Sequence, residues 1–191
     1  QNQILHYFEN RDRETLYFDF ESWRLSKLLE LFIPKLKVSS IYDISLDTLR
    51  DMGIKGMITD LDNTLVGAKE PHATPELLSW LKKLDDYGFR VVIVSNNHLP
   101  RVEAFAKPLD MPFIHRARKP RNQSFLTALS LLELPREQVV VVGDQLLTDV
   151  FGGNRLGLYT ILVKPIALQD EGWPTRINRR LEKLLSKFIN H

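Results

Sequence analysis

Short apolar runs alternate with segments of helical periodicity from about residue 57 onward. Each run has the length and β-branched content of a buried strand, and the runs read MITDL, RVVIVSN, PFIH, VVVVGD and YTILV. The segments between them predict helices at about residues 75–87, 100–107, 123–132 and 148–156. Largely apolar strands that alternate with helices are typical of a parallel sheet covered on both faces. We therefore predict a doubly wound, Rossmann-like parallel sheet in a three-layer α/β/α sandwich.

Both flanks of this core have the pattern of amphipathic helices. On the N-terminal side the apolar residues on or near one helical face are Phe20, Trp23, Leu28, Leu31 and Phe32. The C-terminal segment RINRRLEKLLSKFINH is likewise amphipathic, and it is basic. Such helices are typical of a membrane interface, although they also pack on their own domain or on a partner chain. We predict an N-terminal extension over residues 1–37, a core over 38–168 and a C-terminal helix over 169–191.

Composition limits the class of protein. A chain of 191 residues with 43% hydrophobic residues suits one domain with a substantial core. The net charge of +2 gives no reason to expect nucleic acid as a partner, and the lack of cysteine excludes disulfides and thiolate chemistry. The apolar runs are far shorter than the ~20 residues of a membrane-spanning helix. We expect a protein of the cytoplasm or an organelle matrix that associates peripherally with a membrane and has no transmembrane segment.

Polar residues stand at the carboxyl ends of the predicted strands, where doubly wound sheets bind their ligands. Asp60 and Asp62 end the first of these strands, Asp144 ends the fourth, and the second ends in Ser95, Asn96 and Asn97. The three carboxylates would repel each other in one crevice unless a divalent cation neutralised them. A site with few oxygen ligands suits Mg²⁺. The sequence therefore predicts a magnesium site at this edge of the sheet.

A cation is predicted in the same crevice. Lys119 lies in the run RARKPR, which follows the third strand. A lysine that faces a metal ion, with the Ser95 hydroxyl and backbone amides beside it, forms an anion site of the size of a phosphoryl group. Singly, these residues could be turn residues, a helix cap or a solvated charge. Their shared position at strand ends favours the phosphoryl site.

Four motifs resemble those of the haloacid dehalogenase superfamily. DLDNT resembles its DxDx[TV] first motif, VVIVSNN its second, Lys119 its third and VVVVGDQLLTD its GDxxxxD fourth. Their order and strand-end placement also match, over about residues 56–164. The rival with paired acids and a lysine on a parallel sheet is the response-regulator receiver domain, but its phosphate acceptor follows a later strand. The DxD spacing after the first strand favours the dehalogenase superfamily.

The resemblance implies roles for the catalytic residues. Asp60 would be the nucleophile that forms an aspartyl-phosphate. Asp62 would be the general acid for the leaving oxygen and then the general base for the hydrolytic water. Lys119 would stabilise the nucleophile and the intermediate. An aspartate at the second position of DxD implies a phosphatase rather than a dehalogenase.

The resemblance also implies the binding residues. The phosphoryl group would be bound by Ser95, Asn96 and Lys119. The ligands of Mg²⁺ would be Asp60, Asp62 and Asp144. Asp149 would support the water molecules of the metal, and Thr64 would brace the loop by hydrogen bonding.

Two gaps between motifs indicate how open the site is. In this superfamily a cap domain is inserted after the first motif or between the second and the third. Nine residues separate Leu65 from the helix at Pro75, and the gap from Asn97 to Lys119 has room for one helix and one strand. Neither gap can hold a cap. An open crevice suits a substrate that is large or presented on a surface.

A longer stretch resembles the YqeG-type subclass III phosphatases, a group linked to phosphatidylglycerophosphate phosphatase activity. It runs from IPKLKVSSIYDISLDTLRDMGIKGMITDLDNTLV through GDQLLTDVFGGNRLGLYTILVKPI. The resemblance implies hydrolysis of the phosphomonoester of phosphatidylglycerophosphate, with an anionic phospholipid at a membrane surface as the partner. Candidate headgroup contacts are Arg116, Arg118, Arg121 and Arg155. The alternatives are a soluble phosphatase acting on a protein, nucleotide or sugar phosphate, and a binding module with a vestigial site.

Overall fold

The computed structural model describes residues 23 to 167. The predicted C-terminal helix and Phe20 of the predicted N-terminal helix lie outside the described residues. The chain divides into two compact units, and the division falls between Leu31 and Phe32. The first contains helix α1, which spans residues 23 to 30 of the described chain. None of the described helices is long and apolar enough to cross a membrane.

The second unit is built on one sheet of six parallel strands. The strands are β1 Leu36–Val38, β2 Gly56–Thr59, β3 Arg90–Val94, β4 Phe113–Ile114, β5 Val139–Gly143 and β6 Tyr159–Val163. Their order across the sheet is β1-β6-β5-β2-β3-β4, so β2 and β5 are central neighbours. The predicted doubly wound parallel sheet is therefore confirmed.

Helices connect these strands. They are α2 Leu46–Asp51, α3 Pro75–Asp86, α4 Leu99–Ala106, α5 Asn122–Leu132 and α6 Phe151–Asn154. Single 3₁₀ turns lie at Ile41–Asp43, Lys107–Leu109 and Arg136–Gln138. The start of α3 follows from its sequence, because Thr74 accepts a hydrogen bond from the backbone of Leu77 and proline occupies the first helical position. The last predicted helix begins earlier than expected, as a π-helical segment over Leu146–Val150 that continues into α6.

The apolar core lies on both faces of the sheet. In β2, Met57 packs into one apolar cluster and Ile58 into the other, because successive strand residues point to opposite faces. The first cluster is completed by Leu77, Trp80 and Leu84 of α3 and by Val102, Phe105 and Ala106 of α4. The second is completed by Phe125, Ala128 and Leu132 of α5. Helices therefore cover both faces, as the three-layer prediction requires.

The edge strand β1 is not among the predicted strands. Leu36 pairs with Ile161 of β6, and the backbone N–H of Lys35 donates to the carbonyl of Thr160 at 2.9 Å. The segment IPKLKV lacks the continuous apolar run that marks the other strands, because an edge strand is only partly buried. The sheet thus begins before residue 38, within the stretch that the sequence assigns to the N-terminal extension.

The chain between the motifs holds no cap domain. Residues 67 to 74 connect the first motif to α3 without a helix or strand of their own. Between β3 and Lys119 lie only α4, one 3₁₀ turn and the two-residue strand β4. The carboxyl edge of the sheet is therefore not covered by an inserted domain from either position.

Candidate active site

The carboxyl ends of the two central strands bring together the first and fourth motifs. Thr59 of β2 is in register with Val142 of β5, so Asp60 and Asp144 follow neighbouring strands. The ladder continues past β2, because the backbone N–H of Asp60 donates to the carbonyl of Val142 at 2.9 Å. Both aspartates are buried. The predicted nucleophile is thus fixed by sheet hydrogen bonds beside the predicted metal ligand.

Lys119 lies between two buried carboxylates. Its Nζ donates to Oδ1 of Asp60 at 2.7 Å and to Oδ1 of Asp149 at 2.6 Å. The second oxygen of Asp149 accepts from the backbone N–H of Gln145 at 3.2 Å. Asp149 therefore orients the lysine that contacts Asp60. The sequence predicts only that Asp149 supports the water molecules of the metal, and it does not predict this contact with Lys119.

Gly143 makes room for this arrangement. A Cβ atom at Gly143 would lie 2.3 Å from Cγ of Asp149, far inside van der Waals contact. The glycine before Asp144 thus lets a buried carboxylate pack against the end of β5. This is a steric reason for the glycine of the GDxxxxD motif.

The charges of the site perturb one another. Burial raises the pKa of Asp60 to about 7, although the attraction of Lys119 opposes the rise and repulsion by Asp149 adds to it. Burial alone would lower the pKa of Lys119, but the charges of Asp149 and Asp60 outweigh it and raise that pKa above its ordinary value. Lys119 is therefore a permanent cation, while Asp60 needs further positive charge to stay ionised in a dry site.

Asn96 positions Lys119 through the backbone. Its Oδ1 accepts from the backbone N–H of Lys119 at 2.7 Å, and its Nδ2 donates to the Lys119 carbonyl at 3.3 Å. The side chain that the sequence assigns to the phosphoryl group is thus engaged with the peptide of the catalytic lysine. Ser95 is buried, and its Oγ accepts from the backbone N–H of Asn97 at 3.1 Å. A hydroxyl that already accepts in this way can donate its proton to a phosphoryl oxygen.

The side chain of Asp62 is held by Arg101, which the sequence analysis missed, and by Asn97, which it placed at the strand end without a role. Arg101, in the first turn of α4, forms an ion pair with Oδ1 at 2.9 Å, and Asn97 donates to Oδ2 at 2.9 Å. A signal for Arg101 was present. A cation in the first turn of a helix is unfavourable because it lies at the positive end of the helix dipole, so a carboxylate partner is expected beside it.

The divalent-cation prediction is supported by the charge of the site. Two cations, Lys119 and Arg101, face four carboxylates, which belong to Asp60, Asp62, Asp144 and Asp149. The described residues contain no group of three His, Cys, Asp or Glu side chains placed to hold a metal, and the Asp62 carboxylate is engaged with Arg101. Mg²⁺ needs only one or two protein carboxylates, because it keeps several of its water molecules. Asp60 and Asp144 therefore fit Mg²⁺ by charge and by ligand type.

Thr64 joins the loop after the DxD motif to the fourth motif. Its hydroxyl donates to Oδ1 of Asp144 at 3.3 Å, and both residues are buried. Asn63, between the two motif residues, has a left-handed backbone with φ of 66°. Its carbonyl accepts from the backbone N–H of Ile166 at 3.1 Å, beyond the end of β6. The loop is thus tied to the segments on both sides of it.

The candidate headgroup arginines fall into two places. Arg116, Arg118 and Arg121 are exposed in the loop between β4 and α5, which also contains Lys119. Arg155 follows α6, and the carbonyl of the next residue accepts from Arg136, which precedes the amino end of β5. Arg155 therefore lies near the amino ends of the strands, whereas the crevice lies at their carboxyl ends. This position corrects the expectation that Arg155 contacts a headgroup in the crevice.

The chain matches a known family over most of its length. A family described as mitochondrial PGP phosphatase matches residues 22–167. The chain belongs to this family. The probable phosphatase YqeG of Bacillus subtilis (strain 168) is 49% identical over 156 residues, which make up 82% of this chain and 90% of that protein. The predicted phosphatase family is thus confirmed, and the chain is a phosphatase.

Two more distant matches extend this comparison. Phosphatidylglycerophosphate phosphatase 1, chloroplastic, of Chlamydomonas reinhardtii is 28% identical over 165 residues, or 80% of this chain and 60% of that protein. This chain thus spans less than two thirds of the length of the algal relative. The crystal structure of CbbY from Rhodobacter sphaeroides in complex with phosphate gives a TM-score of 0.50 at 14% identity, covering 63% of this chain and 90% of that one. At that identity the similarity supports the fold alone.

Proposed function

We propose that this phosphatase is Mg²⁺-dependent and hydrolyses phosphatidylglycerophosphate to phosphatidylglycerol through an aspartyl-phosphate on Asp60. The observation that carries the chemistry is the buried ion pair in which Nζ of Lys119 lies 2.7 Å from Oδ1 of Asp60. A cation at this distance lowers the repulsion between a carboxylate nucleophile and an anionic phosphoryl group.

In the first half-reaction, a carboxylate oxygen of Asp60 attacks phosphorus and the bond to the ester oxygen breaks. Lys119 occupies Oδ1, so we assign the attack to Oδ2. Asp62, two residues further along, gives its proton to the departing oxygen. The products are an acyl phosphate on Asp60, a carboxylate on Asp62 and the free alcohol.

In the second half-reaction, a water molecule attacks the phosphorus of the acyl phosphate. Asp62 takes a proton from this water, and the bond between phosphorus and the Asp60 oxygen breaks. Inorganic phosphate leaves, Asp60 is again a carboxylate, and Asp62 is again protonated for the next turnover. One residue thus serves as acid and then as base.

Ser95 and Lys119 would bind the phosphoryl oxygens while the bond breaks. Ser95 would donate its hydroxyl proton, and Lys119 would contribute charge from the side of Asp60. Mg²⁺ held by Asp60 and Asp144 would supply positive charge against the phosphoryl oxygens. Even with Asp62 protonated, the carboxylates of Asp60, Asp144 and Asp149 outnumber the two cations of the site, and this excess of negative charge supports the ion.

The substrate proposal rests on the relatives and on the open edge of the sheet. Phosphatidylglycerophosphate is named as the substrate of the algal relative, and YqeG of Bacillus subtilis is named as a probable phosphatase. A crevice with no cap inserted between the motifs would admit a headgroup that stays attached to a lipid. Three exposed arginines, Arg116, Arg118 and Arg121, share a loop with Lys119 and would contact the second phosphate of such a headgroup.

The helix α1 supports attachment to a lipid surface. Trp23, Leu25 and Leu28 expose 57%, 58% and 51% of their surface. Lys27, on the same helix, is paired with Glu30 at 3.0 Å. Exposed tryptophan and leucine beside basic residues form the kind of surface that enters a membrane interface.

The substrate is tested by measuring phosphate release from phosphatidylglycerophosphate micelles and from a panel of soluble monoesters, with and without Mg²⁺. We expect preference for the lipid. Efficient use of soluble esters with no lipid turnover would instead favour the soluble-phosphatase alternative.

The membrane role of α1 is tested separately with Leu28→Glu. We expect weaker binding to vesicles that contain phosphatidylglycerol and an unchanged rate on a small soluble ester. Leu131→Glu is the matched control, because Leu131 is exposed to the same 51% but lies in α5. Equal vesicle binding by the two variants would contradict the role of α1.

A further inference from the structure

Both carboxylate oxygens of Asp62 are held by side chains of the chain that follows β3. Arg101 contacts Oδ1 through two nitrogens, because Nε donates a hydrogen bond at 3.0 Å and Nη2 lies 2.9 Å away in the ion pair. Asn97 donates to Oδ2 through Nδ2 at 2.9 Å. Three contacts on one carboxylate fix the orientation of its two oxygens, in addition to balancing its negative charge.

Arg101 also ties down the loop that carries Asp62. Its Nη2 reaches the carbonyl of Gly67 at 3.4 Å, beyond the end of the same loop. Only 12% of the arginine side chain and 18% of the Asp62 side chain are exposed. The pair therefore bridges the first helix after the second motif and the loop after the first motif, in a largely desolvated place.

Asn97 is itself held in one orientation. Its Oδ1 accepts from the backbone N–H of His98 at 2.8 Å, so the amide group must present Nδ2 to Asp62. Its backbone N–H donates to Oγ of Ser95, and its carbonyl accepts from the backbone N–H of Arg116 at 2.8 Å. The partner of Oδ2 is thus anchored to the same strand end as the phosphoryl site.

Another arginine–aspartate pair in the described chain shows what an ordinary surface contact looks like. Arg50 and Asp47 are 2.7 Å apart on α2, with 57% and 63% of their side chains exposed. Such a pair contributes little, because water screens it. The Arg101 pair differs in its burial, its two-nitrogen contact and its partner.

We infer that Arg101 and Asn97 are positioning residues that aim the Asp62 carboxyl group at the ester oxygen of the substrate. This inference rests on the proposed role of Asp62 as acid and base. A fixed carboxyl group transfers its proton without first reorienting, and a misplaced one loses about 10²-fold in rate.

The inference predicts a dependence on the leaving group. Phenolate is a stronger base than p-nitrophenolate, so departure of phenol depends more on a proton from Asp62. Weakening the hold on Asp62 should therefore slow phenyl phosphate more than p-nitrophenyl phosphate. A smaller fraction of correctly folded protein would instead slow the hydrolysis of both esters by the same factor.

The test measures alcohol release from both esters in a single turnover, with Mg²⁺ present. The variants are Arg101→Lys, Arg101→Met and Asp62→Asn, and Arg50→Met is the control for removing a paired arginine elsewhere. Lysine keeps the charge but loses the two-nitrogen contact. We expect Arg101→Met to lose about 10²-fold on phenyl phosphate and much less on p-nitrophenyl phosphate. Arg101→Lys should lie between Arg101→Met and the unmodified protein.

The Asp62 and Arg101 variants distinguish a wrong general acid from an Arg101 that is merely structural. If Asp62→Asn slows both esters equally, the assignment of Asp62 as general acid is wrong, and the inference falls with it. If Asp62→Asn discriminates between the esters but both Arg101 variants slow them equally, Arg101 is only structural and the inference alone is overturned. Thermal unfolding of each variant reports whether it is folded.

Discussion

Lys119 places its ammonium group 2.7 Å from Oδ1 of Asp60, although the two residues lie 59 positions apart in the chain. The same ammonium group also donates to Oδ1 of Asp149 at 2.6 Å. The site is thus a buried lysine shared by a nucleophile candidate and a supporting carboxylate.

Asp149→Asn tests the supporting carboxylate. The amide keeps the shape but removes the charge that holds Lys119, so the lysine should be less well fixed against Asp60. We expect kcat on a soluble ester to fall by about 10- to 100-fold. Asp47→Asn, in the exposed pair with Arg50, is the control and should change kcat little. An unchanged kcat in Asp149→Asn would remove Asp149 from the account.

Gly143→Ala tests the space beside Asp149. The new methyl group would lie 2.3 Å from Cγ of Asp149, so the carboxylate must move away from Lys119. We expect a loss of about 1–3 kcal/mol in the free energy of unfolding, together with reduced activity. Gly53→Ala is the control, because no atom lies within 4 Å of its new methyl group and its cost is backbone strain at a φ of 81°. Full activity in Gly143→Ala would show that Asp149 need not stay where it is.

The pKa of Asp60 predicts how stability depends on pH when Mg²⁺ is removed. Burial raises this pKa from 3.8 to about 7, so between those values the folded protein binds a proton that the unfolded chain has lost. Stability from this group is complete below about pH 4 and is lost as the pH rises through about 7. In EDTA, the Tm advantage of the unmodified protein over Asp60→Asn should shrink across that window. An advantage that grows with pH would contradict the direction of the shift.

Mg²⁺ binding can be measured without turnover. If Asp60 and Asp144 hold the ion, added Mg²⁺ should raise Tm by binding only the folded state. Asp144→Asn should shift that effect to higher Mg²⁺ concentration. Asp110→Asn, in the turn before β4, is a control that should respond like the unmodified protein. If added Mg²⁺ does not change the Tm of the unmodified protein, the result would argue against a bound ion.

The sequence predicted the central sheet and the strand-end motifs well, because buried parallel strands read as continuous apolar runs. Val139–Gly143 is the clearest case, since all five of its residues are buried. The edge strand Leu36–Val38 was missed because its short, partly exposed run carries a lysine. Regular periodicity therefore located the residues that follow central strands, where the candidate site lies.

The partners of those residues were less accessible from sequence. Asn96 and Asn97 look equivalent in SNN, but their side chains hold Lys119 and Asp62 respectively. The backbone conformation after β3 decides which amide contacts which partner, and no local sequence pattern predicts that conformation. Arg155 was misplaced for a related reason. It follows the motif closely in sequence, but α6 carries the chain back toward the amino edge of the sheet.

The most direct test of the account is to trap the covalent intermediate on Asp60. The protein is mixed with substrate and Mg²⁺, quenched in acid, reduced with borohydride and digested for mass spectrometry. An aspartyl-phosphate is reduced to homoserine, so we expect homoserine at position 60 only when substrate is present, and no turnover by Asp60→Asn. Full turnover by Asp60→Asn, or homoserine at another aspartate, would show that Asp60 is not the nucleophile.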